Sequence, residues 1–213
     1  METIKEHQRA YEIPDFVLEK KPCYDFFKRF FDILLSFLAI VLCALPMLII
    51  AIFIKADSKG AVIYKQERLG KNGKPFMLYK FRSMCEDAEE DGAKWAEEND
   101  ARCTRVGKFL RKSRLDELPQ FFNIIGGQMS LVGPRPERKV FYEQFEKNIH
   151  GFCLRMKIKP GLTGHAQVNG GYDLLPEEKI VYDIEYIKNR SLAFDAKCLM
   201  KTVAVIFNHS GAR

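Results

Sequence analysis

Ile33-Leu-Leu-Ser-Phe-Leu-Ala-Ile-Val-Leu-Cys-Ala-Leu-Pro-Met-Leu-Ile-Ile-Ala-Ile-Phe-Ile54 carries no formal charge from end to end. A bilayer span needs ~20 predominantly apolar residues, and this run meets that length. A core helix so long and so uniformly apolar does not suit a small domain, so the stretch reads as membrane-embedded. Lys20, Lys21, Lys28 and Arg29 flank one end; Lys55, Lys59, Lys65 and Arg68 flank the other. Basic flanks prefer the cytoplasm, which puts both ends on the same side. Pro46, just beyond the midpoint, has no N–H for the helix ladder and kinks it. The residues alone admit two forms: a kinked crossing helix, or a helix–break–helix that dips into one leaflet and returns. Asp32, at the mouth of the run, would be costly facing lipid and is expected to pair with Lys28, Arg29 or a cation of the soluble part.

Upstream, residues 1–22 mix charges with Pro14 and Pro22 and show only a weak apolar pattern, which reads as a loose or surface-lying arm. No basic-then-apolar segment with a small-residue cleavage site opens the chain, so a signal peptide is not expected. Downstream, Ala61–Arg68 and Lys74–Met84 read as two strands joined by the turn Gly70-Lys71-Asn72-Gly73. Lys80 and Arg82 alternate with Tyr79 and Phe81, so both cations share one face. Residues 85–100 are strongly acidic and read as an exposed helix or lid. Thr104–Lys112 forms a short basic amphipathic helix suited to a membrane interface.

Next comes Ser113-Arg114-Leu115-Asp116-Glu117-Leu118-Pro119-Gln120, leading into Phe121–Gly127. Pro119 is tolerated only in a first turn, and Gly126 and Gly127 supply a stop, so the stretch reads as a helix start. Asp116 and Glu117 then lie at the positive end of the helix dipole, where a carboxylate stays ionised. The plain alternative is a capping box between Ser113 and Asp116, which leaves Glu117 and the cations Arg111, Lys112 and Arg114 unexplained. Met129–Val132 is an apolar strand ending in Gly133-Pro134-Arg135-Pro136. Two prolines hold Arg135 extended, a geometry suited to two-pronged phosphate contact, and Pro136 is placed to open a helix through Asn148. Lys159 precedes a Pro-Gly turn. His165–Gly171 reads as a short strand running into a flexible loop, with His165 either an acid–base group or structural. Pro176 opens a helix through Asn189, and Asp195 opens the last one, with Leu199, Val203 and Ile206 on one side.

The net charge of +6 comes with plentiful acidic residues, so this is no polybasic nucleic-acid arm. The six cysteines are scattered without a C-x-x-C pair, which argues against a zinc site and a disulfide framework and for a reducing compartment. Neither the Rossmann nor the P-loop glycine fingerprint occurs.

Several motifs fall in order along the chain: the apolar segment with its central Pro46, Tyr79-Lys80-Phe81-Arg82-Ser83-Met84, Leu115–Gln120, Gly133–Pro136, Lys159-Pro160-Gly161-Leu162-Thr163-Gly164, Gln167-Val168-Asn169-Gly170 and Tyr182–Ile187. This set resembles the bacterial sugar transferases, the monotopic polyprenyl-phosphate phosphoglycosyl transferases, over about residues 24 to 212. The resemblance implies transfer of a sugar-1-phosphate from a UDP-sugar to undecaprenyl phosphate with release of UMP. This is the initiating step of surface polysaccharide, capsule or lipopolysaccharide assembly, at the cytoplasmic face of the bacterial inner membrane. It implies that Asp116 is the nucleophile of a covalent aspartyl phosphosugar intermediate. Glu117 would assist as a base or through a magnesium ion held by Asp116 and Glu117, and Arg111, Arg135, Lys159 and Lys80 become candidates for phosphate and uridine contacts. It also implies a re-entrant membrane segment. Many such segments carry Ser before the proline; here Leu45 offers no hydroxyl to the freed carbonyls.

The expected architecture is α/β, mostly α with a small β-hairpin or sheet, a re-entrant helix–break–helix and amphipathic interfacial helices. The expected division is an arm over 1–22, a membrane segment over 23–56 and a cytoplasmic catalytic domain over 57–213, with the catalytic core alone present. A membrane-tethered lipid- or nucleic-acid-binding module leaves the carboxylate pair unexplained. A hydrolase using the pair as acid and base fails on geometry, since adjacent residues of one turn do not flank a scissile bond.

Overall fold

A computed structural model describes residues 11–86, 88, 100–171 and 174–208. The acidic helix or lid expected over 85–100 falls mostly outside them. The arm begins as β1 (Tyr11–Glu12), laid parallel to β5 (Ile149–His150), and goes on to seat Ile13, Phe16 and Leu18 against the core.

Pro22–Asp57 forms one helix, α1, with Pro22 in the first turn, where a missing N–H has no helical partner to lose. The helix runs through Pro46 without a non-helical residue, so the break expected there is not formed as an interruption of the helix. Among the described residues α1 is the one helix long and apolar enough to cross a membrane. Its buried residues fall in two groups at opposite ends, Asp32 with Ser36 and Ile50 with Ile54. Between them Leu42 and Leu45 are two-thirds exposed.

Both ends dock on the same body. At the first, Arg29 donates to the carbonyls of Ile124 and Ile125 at 2.6 and 2.7 Å. Asp32 accepts from Ser130 Oγ at 3.0 Å and from the Leu131 N–H at 2.9 Å. Its partners are therefore uncharged donors rather than the expected cation, and a carboxylate bound this way is well satisfied. At the second end, Ile50 and Ile54 pack with Phe81 and Leu110. There Arg82 clasps the helix terminus, donating to the Ser58 carbonyl at 2.8 Å and its hydroxyl at 2.9 Å.

The hairpin is β2 (Ile63–Leu69) and β3 (Pro75–Phe81), antiparallel, with Tyr64 opposite Lys80. Its turn places Asn72 and Gly73 at φ 58° and 71°, the left-handed region that Asn and Gly tolerate. Then follow α2 (Arg105–Lys112), α3 (Gln120–Ile125), β4 (Ser130–Val132), α4 (Lys139–Asn148), β6 (Gly161–Thr163), α5 (His165–Val168), α6 (Pro176–Asn189) and α7 (Leu192–Asn208). Thr104 caps α2 by accepting from the Gly107 N–H at 2.9 Å. β4 pairs with β6 in parallel, so the described strands form three two-stranded ladders in a mostly helical body. Ile124, Met129, Val132, Phe152, Ile180 and Ile187 form the centre of the core, each at most 1 % exposed.

Three boundaries differ from expectation. Pro136 opens no helix: the Leu69 N–H takes the Glu137 carbonyl at 3.1 Å and Arg68 pairs with the Glu137 carboxylate at 3.0 Å, which keeps the chain extended until Lys139. His165–Val168 is a helical turn and not a strand. The last helix starts at Leu192, with Ser191 Oγ accepting from the Phe194 N–H. Asp195 instead accepts from Tyr186 at 2.6 Å, Lys28 at 3.0 Å and Tyr24 at 3.1 Å, tying α1, α6 and α7 together.

Candidate active site

α2 ends at Lys112, and the chain must turn sharply before α3. Ser113 turns its hydroxyl back, donating to the carbonyls of Phe109 and Leu110 at 2.8 and 3.2 Å. It therefore caps nothing downstream, and the capping-box alternative is not formed. Arg114 takes the corner at φ 57°, a left-handed conformation that costs a non-glycine residue energy and marks a constrained site. Leu115–Glu117 follow as a 3-10 turn, with α3 opening after Pro119. Asp116 and Glu117 thus precede the helix rather than start it, and the helix dipole does not govern their charge.

Side chains of neighbouring elements govern it instead. Lys80 of β3 places its Nζ 2.8 Å from Glu117 Oε1 and 3.6 Å from Asp116 Oδ2. Arg135 places Nη2 2.6 Å from the same Glu117 oxygen. Arg135 is held there by two interlocked loops: the Gly133 N–H donates to Thr163 and the Gly161 N–H to Pro134, each at 2.9 Å. A Cβ on Gly161 would lie 2.1 Å from the Gly133 nitrogen, so the crossing requires glycine.

The two carboxylates are consequently unlike. Burial opposes ionisation of Glu117, yet Arg135 and Lys80 outweigh it and hold the carboxyl far below the usual range. So weak a base suits the anchoring of two cations and not the removal of a proton. Burial pushes Asp116 up; Lys80 pulls against that, and the Glu117 charge adds to it. Asp116 is 6 % exposed. Its carboxylate is less tightly paired than that of Glu117 and is the more basic oxygen donor of the two.

Both line a cavity of about 400 Å³, the size of a small-molecule site, together with Lys80, Arg111 and Arg135. The structure therefore brings together five of the six residues singled out in the sequence. The sixth, Lys159, is not brought there: its Nζ lies by Gly127, at the opposite end of α3. Arg82 touches the cavity, although its guanidinium is spent on the end of α1. His165 lies outside the lining, ring-packed on Tyr182 and Phe194 and 3.2 Å from Glu185, a structural setting. The sequence reading missed one face of the hairpin. Tyr64, Gln66 and Arg68 all line the cavity and are chained by hydrogen bonds, Gln66 Nε2 to Tyr64 at 2.9 Å and Arg68 Nη2 to Gln66 at 2.5 Å. Little in the sequence signalled it, since Lys65 and Glu67 make the opposite face of β2 polar as well.

Among the described residues no three His, Cys, Asp or Glu side chains form a metal cage. Magnesium seldom needs one, since it binds through one or two carboxylates and completes its shell with water and substrate phosphates. Asp116 and Glu117, side by side in an open cavity, fit that pattern.

The model of the bacterial sugar transferase family matches residues 23–209. A UDP-N-acetylgalactosamine-undecaprenyl-phosphate N-acetylgalactosaminephosphotransferase of Aeromonas hydrophila is 47 % identical over 90 % of this chain and 46 % of its own length. A UDP-glucose:undecaprenyl-phosphate glucose-1-phosphate transferase of Klebsiella pneumoniae is 48 % identical over 83 % of this chain and 39 % of its own. A putative undecaprenyl-phosphate N-acetylgalactosaminyl 1-phosphate transferase of Bacillus subtilis is 49 % identical over 68 % of this chain and 82 % of its own. The chain spans less than half the length of the first two. With a family match over nearly its whole length and a relative mostly covered by it, this chain belongs to the bacterial sugar transferase family.

Proposed function

We propose that the chain transfers a sugar-1-phosphate from a UDP-sugar to undecaprenyl phosphate in two displacements at Asp116. One observation carries the reading: in a cavity lined by cations, Glu117 is clamped by Lys80 and Arg135 at 2.8 and 2.6 Å, whereas Asp116 is 3.6 Å from its nearest cation. Lys80, Arg135 and Arg111 bind the diphosphate, and Glu117 keeps the first two in place. An Asp116 oxygen attacks the phosphorus that bears the sugar. The bond from that phosphorus to the bridging oxygen breaks, and UMP leaves with the electron pair. An oxygen of undecaprenyl phosphate then attacks the same phosphorus, and the Asp116 carboxylate departs, leaving a lipid diphosphosugar. Bound magnesium, held by Asp116 and Glu117 with the phosphates, would offset the negative charge that otherwise repels a carboxylate nucleophile. The named relatives act on N-acetylgalactosamine or glucose at near-equal identity, so identity does not choose the sugar.

The membrane segment is read as monotopic. A crossing helix would separate the ends of its apolar run by ~30 Å, on opposite faces of the bilayer. Here Arg29 and Ile54 both dock on one folded body, which supports entry and exit at the same, cytoplasmic, face.

The mechanism is tested without acceptor. Protein mixed with UDP-sugar and magnesium alone should release about one UMP per site and gain the mass of one sugar phosphate, as a covalent first step requires. Asp116→Asn should abolish both. Release of UMP only after undecaprenyl phosphate is added, with no adduct, would establish direct transfer instead.

A further inference from the structure

Arg29 of α1 and Lys159 of the loop before β6 meet at the C-terminal end of α3, and the charges of Lys28 from α1 and Lys71 from the hairpin turn act on Lys159 as well. None lines the catalytic cavity. Gly127, at φ 80°, forms the floor between two of them. The point where a Cβ would stand is 3.5 Å from Arg29 Nη2 and 3.8 Å from Lys159 Nζ, so a single oxygen near it meets both. Lys28 is paired with Asp195 at 3.0 Å, and Arg29 is bound to the α3 carbonyls while retaining further N–H donors. Half-buried Lys159 has no ion-pair partner among the described residues. Burial and the neighbouring positive charges depress its ammonium pKa, with Asp32 pulling the other way. A half-buried ammonium with no carboxylate paired to it is suited to an anionic partner.

Its depth identifies the anion. Arg29 lies just ahead of Ile33, where the uncharged run begins, so the cluster sits at headgroup level when α1 is in the bilayer. The reacting phosphate is too far away to be the occupant: α3 alone, about 9 Å long, stands between Gly127 and the turn that carries Asp116. We propose that Arg29, Lys159 and the bare backbone of Gly127 bind the phosphate of an anionic glycerophospholipid headgroup, with Lys28 and Lys71 adding long-range attraction. The site holds the catalytic body against the bilayer on the side away from the cavity. It rests on the membrane placement of α1 and not on the chemistry at Asp116, so a missing covalent adduct leaves it standing.

The test uses the full chain in detergent, exposed to phosphatidylglycerol or phosphatidylcholine of matched acyl chains and read by native mass spectrometry. Phosphatidylglycerol should be retained preferentially. Lys159→Gln should lower that retention about fivefold, the loss expected when one basic residue leaves an anionic surface, without changing phosphatidylcholine. Lys159→Arg should keep it, and Lys139→Gln, on the exposed face of α4, should not alter it. Removing a cation crowded by like charges should leave the melting temperature equal or higher; if Lys159→Gln nevertheless unfolds, exposed Lys71→Gln supplies the same reading. Equal retention of the two lipids, or no loss in the variant, overturns the proposal. So does stabilisation by inorganic phosphate, abolished in Lys159→Gln, with no headgroup preference, which assigns the site to a soluble anion.

Discussion

Asp116 and Glu117 are neighbours in sequence with opposite electrostatic fates, and two variants expose the difference. The ionised form of Asp116 is disfavoured in the fold, because burial holds its pKa above the ordinary 3.8. Its charge therefore costs stability at neutral pH, and that cost fades as pH falls through the raised pKa. Asp116→Asn should therefore melt higher than the parent, by about 2–4 °C for each kcal/mol relieved in a chain of this size. Glu117 has the reverse sign. Its ion pairs add stability that is full above the ordinary 4.5 and is lost progressively as pH falls from there through the depressed value, so Glu117→Gln should melt lower at neutral pH. In activity, the acid limb of the pH profile should lie above the normal Asp range, since a protonated Asp116 cannot attack. Differential scanning fluorimetry and a pH–rate profile read both; an Asp116→Asn protein that melts lower than the parent contradicts the assignment.

At the level of elements, what the sequence disclosed was whatever its local chemistry decides. The apolar run gave α1, Gly70–Gly73 gave the hairpin turn and Pro176 gave the start of α6, each through a preference residing in a few adjacent residues. Asp116, Glu117, Lys80 and Arg135 were legible because prolines and strand alternation mark them, and Arg111 because it stands in the basic cluster just ahead of the carboxylates; their roles came from the family resemblance. Lys159 was not, because only the folded path of the loop before β6 decides which end of α3 it faces. Pro136 misled for a similar reason: Arg68 and Leu69, distant in sequence, hold the chain extended beyond it. The topology of α1 is likewise a matter of tertiary contact, and it can be measured. Single cysteines at Lys20→Cys and Lys59→Cys in a cysteine-free protein flank the two docked ends, and both positions are exposed. In intact cells both should resist a membrane-impermeant thiol reagent and react after lysis. Labelling of one alone in intact cells shows a crossing helix.

Taken as a whole, the molecule does not separate into an anchor and an enzyme at residue 57. Ile50 and Ile54 form half of a buried cluster whose other members, Phe81 and Leu110, belong to β3 and α2, the elements that carry Lys80 and Arg111. Arg29 satisfies the last carbonyls of α3, and Asp32 satisfies the edge of β4, the strand that leads to Arg135. Removing α1 would expose those apolar faces to water and take away three charge-assisted hydrogen bonds, each contributing about 1.5–3 kcal/mol. That sum is comparable with the entire stability of a domain, ~5–15 kcal/mol. The fragment 58–213 contains Asp116, Glu117, Lys80, Arg111 and Arg135, yet it should not unfold cooperatively and should form no phosphosugar adduct. Expression of the fragment beside the full chain, with circular dichroism melts and adduct mass on both, decides the matter. A fragment that melts as sharply as the full chain and takes up one sugar phosphate would show that α1 is only an anchor.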